Sequence, residues 1–280
     1  MKINLTTNGI FPITKDKNGK DIKDVPDTGY EIAGTLQGEG SLLGTPCLFI
    51  RTSGCNLRCA WMGINGDGSP CDTPYSSHNA ETNKTNIEDI VQTISHNMGK
   101  MKHIVISGGE PTLQMKPLTE LCQQLKKFNA GWHITIETNG TLFSEELAET
   151  IDLVSLSPKL ASSTPWLPNL KNTGIEFNEK WAKIHERKRR NLDVLRKWMD
   201  SPCDYQFKFV VSKTVDIEEI SKDFQQRLRP KFSKLYLMPE GTTTEDLMET
   251  SQWVAAEAIN RGWRFSMRLH ALLWGIARGV

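Results

Sequence analysis

The sequence predicts an α/β fold: an open or partial (βα) barrel with an N-terminal arm and a charged helical insertion. Three observations predict it. Seven short runs rich in β-branched and apolar residues recur along the chain. Helical patterns lie between several of them, and polar or glycine-rich segments close the runs. Strands alternating with helices imply parallel pairing through right-handed crossovers, with ligand loops at the strands' C-terminal ends.

The elements follow in order. Residues 1–30 are rich in Lys, Asp, Asn, Gly and Pro and read as an extended or irregular lead-in to a domain spanning 31–280. The predicted strands are CLFIRTSG from Cys47, HIVIS from His103, ITIET from Ile134, DLVSLS from Asp152, YQFKFVVS from Tyr205, KLYLMP from Lys234 and RFSMRLH from Arg264. Thr85 to Glu88 has a capping-box pattern, followed by an apolar stripe of Ile87, Ile90, Val91, Ile94 and Met98. Pro117 suits the first turn of a helix running toward Phe128. Another helix is expected from about Thr244 to Asn260. Residues 172–200 read as a long charged helix inserted between two strands and solvated on one face.

Composition narrows the function class. At 280 residues the chain can hold one large α/β domain, and 38% hydrophobic with 24% charged residues excludes a disordered chain. A formal net charge of +1 gives no global attraction for nucleic acid or an anionic membrane. No apolar run approaches the roughly 20 residues needed to span a bilayer, and the polar start lacks a signal-peptide core. A cytoplasmic location is the expectation.

Six cysteines are present. Cys47 and Cys122 fall in apolar patterns and read as buried, inert thiols, while Cys203 is isolated. Cys55, Cys59 and Cys71 cluster in a polar, glycine-rich stretch, which in a reducing compartment points to metal or redox chemistry. Three thiolates can ligate three irons of a [4Fe–4S] cube and leave the fourth iron open. A zinc knot with a distant fourth ligand such as His78 stands beside that reading on spacing alone.

The segments EIAGTLQGEGSLLGTPCLFIRTSGCNLRCAW, CDT, SGGEPTLQ, ETNGT, SPK, LMPEG and RLHALLWGIARGV run from Glu31 to Val280. Together they resemble the radical S-adenosylmethionine (SAM) superfamily, and within it the 7-carboxy-7-deazaguanine synthase family. TLQGEG placed before GCNLRC is the most specific element. One departure stands out. The superfamily's third cysteine would fall at Met62, whereas Cys71 carries the family's following Asp72 and Thr73. Residues 62–70 therefore read as a loop insertion, rich in turn formers, that returns Cys71 to the cube.

The resemblance implies a partial barrel of the radical SAM type holding a [4Fe–4S] cluster on Cys55, Cys59 and Cys71. It implies SAM contacts from Asp72, the Gly108–Gly109–Glu110 turn, Glu137, Ser157, Pro158, Lys159, Met238, Pro239, Glu240 and Gly241. Thr73 would ligate Mg²⁺. The substrate, 6-carboxy-5,6,7,8-tetrahydropterin, would meet Leu36, Gln37, Gly38, Arg51, Ser107, His270 and the carboxylate of Val280. Gln37 can pair with a pterin edge, and Arg51 offers a fork for a carboxylate. The implied reaction is a radical ring contraction serving 7-deazapurine biosynthesis of the queuosine type, in a homodimer fed by an electron-donating reductase.

Two alternatives compete. A glycyl-radical activating enzyme also pairs a cysteine triplet with a partial barrel, although TLQGEG and the RGV ending favour a small-molecule substrate. A zinc-stabilised, non-catalytic module is the rival from another class. The basic stretch from Lys183 to Arg190 could recruit a partner, but a solvated helix face is the plainer expectation.

Overall fold

The computed structural model describes residues 1–11, 31–241 and 243–275. Its first strands are β1 (Lys2–Phe11), β2 (Thr35–Leu36), β3 (Pro46–Thr52), β4 (Ala60–Met62), β5 (Gly68–Pro70) and β6 (Asn83–Asn86). Then come β7 (His103–Gly108), β8 (His133–Thr138), β9 (Leu153–Leu156), β10 (Asp204–Val211), β11 (Leu235–Pro239) and β12 (Arg264–Phe265). Ten of them form one sheet, ordered β12-β11-β10-β9-β8-β7-β3-β1-β6 with β2 also on β3. From β3 to β12 every neighbouring pair is parallel. All seven C-terminal ends therefore share one rim, as the alternating pattern requires.

Strand register decides which side chains reach the interior. On β3, Leu48 and Ile50 join the core while Phe49 and Arg51 face a cavity. On β7, Ile104 and Ile106 pack outward and Ser107 turns in. On β10, Phe207, Phe209 and Val211 fill the core while Lys208 and Val210 point inward. The outer faces are covered by helices Ile87–Asn97 and Met115–Phe128, which bring Ile90, Ile94, Leu118, Leu121 and Leu125 into the core. Each such side chain contributes roughly 1.5–3 kcal/mol on burial. Arg51 pairs in register with Ser107, so two predicted substrate residues sit side by side.

Several expectations are corrected. The start of the lead-in is a strand: β1 runs antiparallel to both β3 and β6, with Leu5 opposite Thr52. Residues 12–30 lie outside the described residues. The helix after β6 begins at Ile87 with Asn86 at its N-cap, and no side-chain cap forms: the Asn86 side-chain amide donates to the Asp89 carboxylate (2.9 Å) instead. The charged insertion is two helices, Glu179–Lys188 and Leu192–Met199, each capped by an Asn, since Asn191 accepts from the amide of Val194 and starts a new helix. The second buries Leu195 and Trp198 fully. RFSMRLH yields only the two-residue β12, after which Ser266 and Arg268 turn into the interior.

Candidate active site

The loop after β3 begins at Gly54, whose φ of 97° is open to glycine at little cost. Its amide donates to the Ser76 carbonyl (2.9 Å), and its carbonyl accepts from the Glu110 amide (2.7 Å). One residue thus ties the GCNLRC loop to the CDT loop and to the SGGEP turn. A β-carbon built on Gly54 would meet nothing within 4 Å, so space is left open beside Cys55.

Strands β4 and β5 form a hairpin that closes through Gly63 N to Asp67 O (2.8 Å), and the Cys71 amide then donates to the Cys59 carbonyl (3.0 Å). Asn169 holds the hairpin from below, donating to the carbonyls of Ala60, Ser162 and Thr164 (2.8–2.9 Å). The insertion at 62–70 is therefore a hairpin that leaves Cys71 beside Cys59. All three cysteines are free thiols lining one cavity of about 430 Å³.

Burial pushes the Cys55 thiol up to about 12, reinforced by Glu110 and partly opposed by the Leu57 amide. Burial also raises Cys59 well above the usual thiol range, against the pull of Lys159. Cys55 and Cys71 each oppose ionisation of Cys59. Such a mutually repelling set ionises when a cationic centre is present to bind it, so the donors fit an iron–sulfur cluster. Among the described residues, no group of three or more His, Cys, Asp or Glu is arranged around a single metal ion. A cube places its thiolates on separate irons and needs no such focus. His78, the candidate zinc ligand, sits with Nε2 3.2 Å from the Cys59 carbonyl.

The predicted SAM residues divide. Asp72, Gly108, Gly109, Glu137, Ser157, Lys159, Met238, Glu240 and Gly241 line the cavity; Glu110, Pro158 and Pro239 do not. Glu110 is fully buried and holds the loops together: its carboxylate accepts from Thr112 N (3.0 Å), Thr138 Oγ1 (2.6 Å) and Asn139 N (2.6 Å). Gly108 and Gly109 serve by close approach, not positive φ. A β-carbon would lie 2.1 Å from Thr52 Oγ1 and 2.2 Å from the Ser76 carbonyl, respectively. Lys159 Nζ donates to Ser157 Oγ (2.7 Å), and Ser69 Oγ donates to Glu240 Oε1 (2.6 Å). Thr73 Oγ1 lies 3.4 Å from Cys71 Sγ, on the cavity wall.

The predicted substrate residues line the same cavity, except Val280, which lies outside the described residues. Gln37 Nε2 reaches Glu137 Oε1 at 3.4 Å, and Gln37 Oε1 accepts from the Glu39 amide at 3.2 Å. Arg51 stacks over Phe49 (4.9 Å) and Phe11 (5.6 Å), and its buried Nε has no protein partner among the described residues. His270 packs on Gly38, where a β-carbon would come within 2.1 Å of Nδ1, and the Leu269 amide donates to the Gly38 carbonyl (2.9 Å).

Sequence reasoning missed three charged residues in the wall. Lys208 Nζ lies 2.5 Å from Glu39 Oε2 and 2.9 Å from Glu137 Oε1. Burial alone would lower this lysine, but the two carboxylates outweigh it and hold it protonated. Burial likewise works against the Glu39 carboxylate, yet Lys208, His270 and Arg268 draw it down to about 2. Arg268 pairs with Asp72, donates to the Gly241 carbonyl (3.0 Å) and lies 3.7 Å from Glu39. The one sequence signal was position: a charged residue alternating with Phe207 and Phe209 on a buried strand must face an interior.

Comparison with known proteins accords with this architecture. Residues 49–197 match the radical SAM superfamily. A 7-carboxy-7-deazaguanine synthase of Rhodopirellula baltica is 37% identical over 87% of this chain and 85% of its own length. One from Halobacterium salinarum is 37% identical over 88% of this chain and 90% of its own. The crystal structure of QueE from Escherichia coli shares the fold, with a TM-score of 0.54 and 23% identity over 96% of this chain and 95% of that one. The chain belongs to the radical SAM superfamily and, within it, to the 7-carboxy-7-deazaguanine synthases.

Proposed function

We propose that the cavity at the rim of β3 to β12 is where this radical SAM enzyme carries out its ring contraction on 6-carboxy-5,6,7,8-tetrahydropterin. The observation that carries the assignment is convergence: Cys55, Cys59, Cys71, Arg51, Gln37 and Lys159 all line it. When bound, the iron–sulfur cluster and SAM supply the radical that starts the reaction.

The chain's residues do the rest. Cys55, Cys59 and Cys71 would hold the cluster, and Thr73 would offer its hydroxyl to Mg²⁺. Asp72, Glu137, Ser157, Lys159, Met238, Glu240 and Gly241 would contact SAM, while Gly108 and Gly109 let the turn pack against Thr52, Gly54 and Ser76 beside it. Arg51, whose buried Nε has no protein partner among the described residues, is set to receive the pterin carboxylate. Gln37 and the Leu36–Gly38 backbone would read the ring edge, and Ser107 and His270 would close the walls around it. Glu110 acts as a positioning residue.

A homodimer, a cytoplasmic location and an electron-donating reductase belong to the same reading. Among the described residues, no helix is long and apolar enough to cross a membrane. The test is anaerobic reconstitution followed by turnover with the carboxypterin. Formation of 7-carboxy-7-deazaguanine, lost in Cys71→Ala together with iron and sulfide, is the expected outcome. Full iron loading of Cys71→Ala would remove Cys71 from the ligand set.

A further inference from the structure

The cysteine loop leans on the charged insertion. On the helix Glu179–Lys188, Trp181 and His185 are four residues apart, and Arg189 at the C-cap continues the row, so all three share one face. Trp181 packs on the Arg58 guanidinium, 4.4 Å from the ring centroid. Arg58 lies between Cys55 and Cys59 in sequence, and its Nη1 donates to the carbonyls of Cys55 and Leu57 (2.8 Å each). His185 is wholly buried, on a helix otherwise rich in Lys, Glu and Arg. A solvated helix has no use for a buried imidazole.

Both nitrogens of that ring are engaged. The Arg58 amide donates to His185 Nδ1 (3.2 Å), so Nδ1 carries no proton. The ring proton therefore sits on Nε2, 3.3 Å from Ser163 Oγ, and Ser163 Oγ donates in turn to the Leu160 carbonyl (2.7 Å). Burial pushes the imidazole down to about 3 and keeps it neutral. Each link thus has one direction. The same helix also grips the segment carrying Ser157 and Lys159: Arg189 Nη1 donates to the Lys159 carbonyl (3.2 Å) while the guanidinium pairs with Glu186 and Glu219. One inserted helix ties two loops of the cavity together.

We propose that His185 is a positioning residue for the cluster ligands: it fixes the Leu57–Arg58 peptide and thereby the approach of Cys59, the next residue. The inference rests on the reading of Cys55 and Cys59 as cluster ligands. Groups that hold a ligand's surroundings in place govern metal retention without touching the metal. Without this acceptor the Arg58 amide would be an unmet donor inside the loop that has to present both sulfurs.

The test compares two substitutions that separate geometry from packing. Asn carries its acceptor oxygen on Cγ, where His carries Nδ1; Gln carries its polar atoms one bond further out, toward Ser163. If His185 only filled space, Gln, the larger of the two, would be the better replacement. Exchange of the Arg58 amide is followed by hydrogen–deuterium mass spectrometry on the unloaded chain, and iron release to a chelator on the reconstituted enzyme. His185→Gln should exchange faster at Arg58 and release iron about 10- to 100-fold faster, while His185→Asn stays within about threefold of wild type. Equal behaviour of the two variants, or Gln closer to wild type, overturns the proposal. Ser163→Ala leaves the ring in place and removes its Nε2 partner, so the Arg58 amide should exchange faster there too. Unchanged exchange in Ser163→Ala overturns the proposal even where the His185 variants fail to fold. A wild type that takes up no iron would instead overturn Cys55 and Cys59 as ligands, and exchange in the unloaded chain would still decide whether His185 holds the loop.

Discussion

The guanidinium of Arg268 is paired with the carboxylate of Asp72, 196 positions earlier in the chain. Asp72 directly follows Cys71, so the C-terminal segment braces the least regular of the three cysteine positions. Burial works to raise the Asp72 carboxyl, but Arg268 and then Arg51 outweigh it and hold it below its usual range. Arg268→Met should therefore loosen the Cys71 loop. The expected outcome is about 10- to 100-fold weaker cluster retention, as for other groups that support metal ligands. Iron content after chelator challenge checks it, and Arg268→Lys should recover part of the loss.

Gly38→Ala is predicted to cost about 1–3 kcal/mol, because the new methyl must displace the His270 ring. The urea midpoint measures this. Gly38→Ala should also raise KM for the pterin, since Gln37 moves with its neighbour. The double variant G38A/H270A should regain stability relative to G38A alone while remaining impaired in turnover.

Lys208→Met leaves Glu39 and Glu137 facing each other without their shared cation. Removing one partner from a buried ionic group costs about 3–5 kcal/mol. Chemical unfolding at neutral pH should show it.

The Glu39 carboxyl, held at about 2 in the folded chain against an ordinary 4.5, gives stability a defined acid dependence. A depressed pKa contributes stability that is complete above pH 4.5 and is lost as pH falls toward 2. The unfolding midpoint of Glu39→Gln should accordingly fall less steeply over that window than wild type. Equal slopes would show that Glu39 is not the group responsible.

Glu110→Ala strips partners from the amides of Thr112 and Asn139 and from the Thr138 hydroxyl. Each unmet buried donor costs about 1–3 kcal/mol. Glu110→Ala should be markedly less stable than Glu110→Gln, which keeps one acceptor oxygen. SAM affinity should follow stability in this pair, because Glu110 does not line the cavity.

Much of this architecture was legible in the sequence, and the reasons are physical. Strands β3, β7, β8, β9, β10 and β11 are buried parallel strands rich in apolar residues, and the helix Ile87–Asn97 carries a regular apolar stripe. β1 was not legible because KINLTTNGIF joins a polar lead-in and its partners, β3 and β6, lie far along the chain. The break at Asn191 was hidden by the charged residues on both sides of it. Cys55 and Cys59 were read from the clustering of cysteines, Gln37 and Arg51 from motif resemblance, and all four line one cavity. Lys208, Glu39 and Arg268 were missed as a network because a buried charge is defined by partners that sequence distance conceals. Glu110 was found, yet in a different role. Its motif position suggested a ligand contact, while its burial makes it a strut.

The hairpin of β4 and β5 pins both its ends at one rung, where the Cys71 amide meets the Cys59 carbonyl. Above that rung Gly68 is tied to Lys171 and Ser69 to Glu240, and only the tip at Ile64 and Asn65 is exposed, so length can change there without moving Cys59 or Cys71. The interval between Cys59 and Cys71 is thus set at the hairpin tip and not at the rung. Patterns that count residues along the chain will pass over lineages that have lengthened this finger, whereas a criterion written across the ladder would collect them.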